Sequence, residues 1–185
     1  MNSLDNIIKS RKSTYPKDYN QEEITQEELE ALLSVTAFAP NHRKTRPWRF
    51  HVFTGEAKNA LGEKLASIYK ETTDPEKFLE NKMKSIQEKV DQSQVMICIV
   101  HHISQSVPEW EEHAAIAMSV QNLWLKATEL GIGGYWSTPG FVRHLDDYLS
   151  LEENENCLGL FYLGKTDHEF PIKEHDWKEF VVFRD

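Results

Sequence analysis

Residues 111–130 read as a helix with almost no polar face. Ala114, Ala115, Ile116, Ala117, Met118, Val120, Leu123, Trp124, Leu125 and Ala127 take up most of its circumference. A helix of that kind has to be covered, by a domain core or by a second subunit. Its small residues let another backbone approach closely. Gly131 supplies the stop, because glycine accepts the left-handed conformation that ends helices.

The partners of this helix can be read from the remaining apolar patterns. Residues 95–100, Val-Met-Ile-Cys-Ile-Val, form an unbroken apolar run, the pattern of a strand covered on both faces. Residues 49–53, 132–138 and 158–163 read as three further strands, the last closed by Gly164. A first helix is capped by Asn2 or Ser3 and ends near Ser13 and Thr14. Thr25 and Glu28 stand at capping-box spacing and open a second helix that stops before Pro40. Helices are predicted over residues 55–70 and 76–90, with a short one over 141–149. Residues 15–24 read as a polar connector and residues 101–108 as a loop. The tail is polar up to Phe180-Val181-Val182-Phe183, which adds an edge strand or lies on a partner. Helices and strands mix without βαβ alternation, which favours an α+β fold. The length of 185 residues suits one domain, residues 1–185.

Between the second helix and the first strand lies a basic loop bracketed by Pro40 and Pro47. It carries Arg43, Lys44 and Arg46, with Arg49 just beyond and no acid. Arg11-Lys12 forms a second cationic cluster near the end of the first helix. The whole chain has a formal charge of −9. Two local positive clusters on an acidic chain point either to solvated surface or to a bound small anion. Trp48 and Phe50 share one face of the strand and Arg49 and His51 the other.

The acidic balance argues against nucleic acid and against anionic membranes as partners. No apolar run approaches the roughly 18 residues of a membrane span. The N-terminus lacks the pattern of a secretory signal. Cys98 and Cys157 lie in apolar runs, like buried thiols of a reducing compartment, although a disulfide between them stays open. A cytoplasmic protein is expected. There is no G-x-G-x-x-G after a strand, no Walker-A loop and no G-x-S-x-G elbow. His101 and His102 are neighbours whose side chains diverge, and His113 has no second histidine at helical spacing. Glu111 and Glu112 suit the dipole at a helix start. No metal site and no catalytic acid, base or nucleophile is predicted.

Four segments together resemble the nitroreductase family of FMN-dependent flavoenzymes, and in length its small single-domain NAD(P)H nitroreductase branch. They are Ser10-Arg11-Lys12-Ser13; Ala39-Pro40-Asn41-His42 continuing through Arg46-Pro47-Trp48-Arg49-Phe50; Leu130-Gly131-Ile132-Gly133-Gly134-Tyr135-Trp136-Ser137-Thr138; and Leu158-Gly159-Leu160-Phe161-Tyr162-Leu163-Gly164. Their order and spacing match over nearly the whole chain. The resemblance implies an α+β fold with a central mixed or antiparallel sheet flanked by helices. It implies a homodimer with FMN at the subunit interface and NAD(P)H as electron donor. A small-molecule acceptor, such as a nitroaromatic or a quinone, would be reduced by two-electron ping-pong hydride transfer. Other acceptors (enones, free flavins, organohalides) and a non-catalytic FMN-binding protein are the alternatives.

Carried over by position, Arg11, Lys12 and Ser13 would hold the FMN phosphate and ribityl chain. Phe38 and His42 would reach the cofactor from the loop. Trp136, Ser137 and Thr138 would lie along the isoalloxazine, and residues 126–131 near the nicotinamide nucleotide. Each residue also has a structural reading. Arg11 and Lys12 complement a helix dipole, Ser13 is a turn residue, His42 bonds the loop backbone, and Phe38 and Trp136 pack in the core; Trp48 is assigned to the core. Two positions depart from the family pattern. Lys12 stands where Arg or His is common, and it cannot make a two-pronged phosphate contact. Arg46 stands where an uncharged polar residue is common. Lys173 is the nearest candidate for a further basic residue in the tail.

Overall fold

Strand β2, Val95–His102, is the centre of the molecule. Its residues are covered on both faces: Met96, Ile97, Cys98, Ile99 and Val100 are all fully buried. Burial of one such side chain is worth roughly 1.5–3 kcal/mol, so this strand alone anchors much of the core. The computed structural model describes residues 3–167, 172 and 174–184. Antiparallel partners flank β2: β1, Trp48–Phe53, on one side and β4, Glu155–Lys165, on the other. Strand β3, Ile132–Ser137, pairs antiparallel with β4, so the sheet order is β1-β2-β4-β3. This is the antiparallel form of the expected α+β sheet.

Side-chain alternation along β2 sorts the core into two layers. Val95, Ile97 and Ile99 meet Leu29 and Leu32 of α2, Gln26–Ser34, and Ile116, Val120 and Leu123 of α5, Glu109–Glu129. On the other face, Met96, Cys98 and Val100 meet Leu61 and Leu65 of α3, Gly55–Thr72, and Ile86 and Val90 of α4, Glu80–Asp91. Helix α1, Leu4–Ser10, begins at the Ser3 cap, and the short α6, Asp146–Leu149, leads into β4. Both halves of the capping box form at α2: Glu28 N–H donates to Thr25 Oγ1, and Thr25 N–H donates to the Glu28 carboxylate. Gly131 takes φ +70° and ends α5 as predicted.

Cys98 and Cys157 are buried free thiols. The hydrogen bond with Cys157, with burial, pushes the Cys98 thiol up, which keeps it unreactive. Among the described residues, no helix is long and apolar enough to cross a membrane.

Several predicted boundaries shift, each for a visible reason. Helix α1 stops at Ser10 because the next residues turn to pair with β3: Ser13 bridges Gly134, and Thr14 N–H donates to Gly134 C=O at 2.9 Å. Residues 15–24 are no loose connector. Tyr19 is buried, and its hydroxyl donates to Tyr162 C=O at 3.0 Å. Helix α4 starts four residues late because Asp74 holds a turn, accepting from Glu76 N–H and Lys77 N–H. His101 and His102 belong to β2 rather than to a loop. Residues 140–144 form a 3₁₀ turn before α6, so one predicted helix becomes two pieces. Among its described residues the tail adds no edge strand: residues 177–180 make a 3₁₀ turn, and Phe180, Val182 and Phe183 stand exposed.

Candidate functional site

Arg11 is the C-cap of α1, its backbone N–H donating to Ile7 C=O. Its guanidinium carbon lies 4.9 Å from the centre of the Trp124 ring on α5, within cation–π range. The Arg11 Nε is buried and has no hydrogen-bond partner. A buried N–H donor without an acceptor is uncommon, and on a permanently charged group it suits an anion. Beside it, Ser13 is exposed on a short parallel bridge to Gly134. Two residues further along β3 stands Trp136, half-buried, its Nε1 also enclosed without a partner. Its indole crosses Gly159 closely: a Cβ there would sit 2.8 Å from Trp136 Nε1 and 2.8 Å from Ser137 O. Glycine at 159 is therefore what lets the indole lie down on β4. Ser137 ends the strand and the exposed Thr138 follows. Thus the fold sets Arg11 and Ser13 beside the first half of β3, at Gly134, and the run from Trp136 to Thr138 at the end of the same strand, with Lys12 half-buried between the first two.

Phe38 and His42 belong to a second group. Phe38 ends a 3₁₀ extension of α2 and is 82% exposed, so the core reading for it fails. His42 Nδ1 lies 2.6 Å from the Glu111 carboxylate in the first turn of α5. The expected bond from His42 to the loop backbone is thus replaced by one to a side chain. Glu111 and Trp124 are thirteen residues apart on α5, which puts the anchors of His42 and Arg11 about 20 Å apart along that helix. Within one chain, these two groups do not line a common wall.

The basic loop is held in an unusual backbone state. Arg43, Lys44 and Arg46 all have positive φ, between 46° and 57°. Such values are uncommon for residues with a Cβ and gather at functional segments. Arg43 Nη1 donates to Ser106 C=O, and Arg49 Nη1 donates to the carbonyls of Arg46 and Trp48. Two of the loop's cations therefore serve the chain's own backbone. Trp48 is buried in the core as expected. At the other end of α5, Lys126 pairs with Glu129 at 2.7 Å. Lys173 lies outside the described residues.

Sequence reasoning missed two partners. Trp124 looked like one more core residue of an apolar helix, and nothing local marks it as the ring under Arg11. Glu111 looked like a dipole acid, although its place opposite the loop histidine depends on how α2 and α5 cross.

This arrangement can be set beside known proteins. The family model described as "Nitroreductase family" matches residues 8–165. YfhC of Bacillus subtilis (strain 168), which bears the name "Putative NAD(P)H nitroreductase", is 25% identical over 174 residues, covering 92% of this chain and 88% of that protein. The crystal structure of a nitroreductase-like family protein from Bacillus cereus superposes with a TM-score of 0.84 at 21% identity, covering 100% of this chain and 97% of the other. That of the FMN-dependent nitroreductase NfnB from Mycobacterium smegmatis, in complex with NADPH, gives a TM-score of 0.77 at 16% identity, covering 98% of this chain and 97% of the other. The motifs, the fold and a family match that runs from α1 to the end of β4 agree, and the chain belongs to the nitroreductase family.

Proposed function

We propose that the chain binds FMN and acts as an NAD(P)H-dependent oxidoreductase that reduces nitroaromatic, quinone or related small acceptors by two-electron, ping-pong hydride transfer. The observation that carries this reading is Arg11, stacked on Trp124 with an enclosed and unpartnered Nε, beside Ser13 and the strand edge that bears Trp136, Ser137 and Thr138. A permanently charged donor next to hydroxyls and an indole fits a phosphorylated, planar, aromatic ligand. When bound, the flavin supplies the hydride chemistry; the protein supplies placement, electrostatics and access.

The side chains have separable tasks in this reading. Trp124 would fix the plane of the Arg11 guanidinium, whose N–H groups, the unpartnered Nε included, would hold the phosphate. Ser13, Ser137 and Thr138 offer hydroxyl donors and acceptors to the ribityl chain and the ring edge. Trp136, seated over Gly159, walls the ring. No side chain is needed as proton donor or nucleophile in this reading. Phe38 and His42 reach the flavin of a second copy rather than their own, which is why they sit apart from Arg11 within one chain. The whole chain, residues 1–185, works as a single unit of a homodimer.

Relatives support the cofactors. NfnB of Mycobacterium smegmatis is described as FMN-dependent and was crystallised with NADPH. A nitroreductase structure from Desulfovibrio desulfuricans was determined in complex with FMN. The test is steady-state oxidation of NADH and NADPH by the flavin-loaded protein across nitroaromatic, quinone and enone acceptors. Parallel double-reciprocal lines with at least one nitroaromatic or quinone are expected. A flavin-loaded protein that oxidises neither nucleotide with any acceptor would overturn the proposal and leave a flavin-binding protein without catalysis.

A further inference from the structure

The end of β2 and the first turns of α5 bring together His101, Glu109 and His113. One ligand atom from each lies within 4.8 Å of the other two. Glu109 and His113 are one helical turn apart on α5, and Glu109 Oε1 is 3.5 Å from His113 Nε2. The two imidazole rings meet edge to face with centroids 4.8 Å apart. This cluster was invisible in the sequence, because the second histidine comes from a strand and not from the same helix.

His101 is the informative member. It is fully buried, and its Nε2 is bonded to the Glu112 carboxylate at 2.9 Å. Its Nδ1 is buried with no partner. Neither protonation state of the ring repairs this. Protonated, Nδ1 is an enclosed donor without an acceptor; neutral with the proton on Nε2, it is an enclosed lone pair without a donor. A metal ion on that lone pair would satisfy it.

Glu112 is 1% exposed and also accepts from Ser104 N–H at 3.3 and 3.4 Å. A carboxylate on the far nitrogen of a histidine is the arrangement that orients metal-ligating imidazoles and sharpens their basicity. Two histidines and one carboxylate form the donor set of a tetrahedral N/O site with one open position.

We propose that His101 Nδ1, His113 and Glu109 bind a divalent transition metal of the zinc class, with Glu112 orienting His101 from behind. A tetrahedral site with bonds of roughly 2.0–2.1 Å needs donors about 3.4 Å apart. The Glu109–His113 spacing already meets that value. The remaining closure falls on those same two side chains, which are 61% and 44% exposed and can change rotamer, while the buried His101 stays in place. A cation near a helix N-terminus opposes the helix dipole, but Glu109, Glu111 and Glu112 in that turn reverse the local field. The ion would clamp the end of β2 to the start of α5 and fix the intervening residues 103–108. Among these, Ser106 C=O accepts from Arg43 of the basic loop. With three protein donors the fourth position would take water, and the site is independent of the flavin reading.

The test uses the full chain with whatever flavin it carries, treated with a chelator and then titrated with Zn²⁺ by calorimetry. One equivalent per chain and a rise in the melting temperature are expected. His113→Ala and Glu109→Gln change exposed side chains and should leave the circular dichroism and flavin content unaltered while weakening Zn²⁺ at least tenfold. Glu112→Gln should weaken it ten- to hundredfold while leaving one site, as loss of an orienting partner does. No uptake at micromolar Zn²⁺ would overturn the proposal. So would uptake unchanged in both His113→Ala and Glu109→Gln, which would place the ion elsewhere.

Discussion

Arg11 carries more of the functional argument than any other residue. Stacked on Trp124 and enclosed at Nε, it is already paid for in desolvation, with no protein acceptor on that nitrogen. Arg11→Ala should weaken FMN binding by about 1.5–3 kcal/mol, the worth of a hydrogen bond to a charged group, as read by flavin fluorescence titration. Unchanged affinity would remove Arg11 from the site. Glu28 illustrates a residue whose role is purely structural. The hydrogen bond from Lys165 Nζ, then that from Thr25 N–H, hold its carboxyl below the usual range. A depressed carboxylate contributes its full stability above the unfolded value of about 4.3 and loses it as the pH falls through the folded value. Glu28→Gln should therefore cost about 1 kcal/mol at pH 7, and the gap to the unsubstituted protein should narrow as the pH falls below the unfolded value of about 4.3 in denaturant titrations. The capping box was legible because its two residues are three apart in sequence. The Lys165 contact was not, since it joins residues 137 positions apart.

At the scale of elements, β2 and α5 were legible because each carries a strong period or an unbroken apolar run. The misses have one physical cause: contacts between elements set the ends. The β2 strand runs two residues past its apolar stretch because its next inward position, His101, is satisfied at Nε2 by Glu112 of α5 rather than by an apolar neighbour. The segment after α1 straightens because Gly134 offers it a backbone partner. The connector over residues 15–24 is fixed because Tyr19 lies flat against Gly164 of β4, where any Cβ would overlap the ring. Gly164→Ala should thus destabilise the fold by about 1–3 kcal/mol, as overpacking does, lowering the melting temperature without changing flavin affinity per folded molecule. Of the candidate site, the placement of Arg11–Ser13 and of Trp136–Thr138 along one strand follows from the Ser13–Gly134 bridge, a contact that sequence spacing does not show. The separation of Phe38 and His42 from that strand was not legible either, because sequence spacing says nothing about where along α5 each group docks.

For the whole molecule, the uncovered apolar surface is the central fact. Ala114, Ala117 and Met118 form an exposed stripe on α5, the helix whose sequence demanded cover on all sides. A shallow groove lined by Leu4, Ile7, Val35 and Leu125 continues along its far end. The tail adds Trp177, Phe180, Val182 and Phe183, all exposed. Exposure on this scale is the pattern expected of an association surface. Light scattering should give twice the chain mass of 21.6 kDa, and Met118→Glu should shift the population toward monomer and lower flavin occupancy together. Those two effects go together only if the site is completed across the interface. The most direct test of the account is the visible absorption spectrum of the purified protein, recorded anaerobically before and after NADH or NADPH. A yellow protein whose flavin band is bleached by at least one nucleotide is predicted. A colourless protein that takes up no added FMN, or a bound flavin that neither nucleotide reduces, would contradict it.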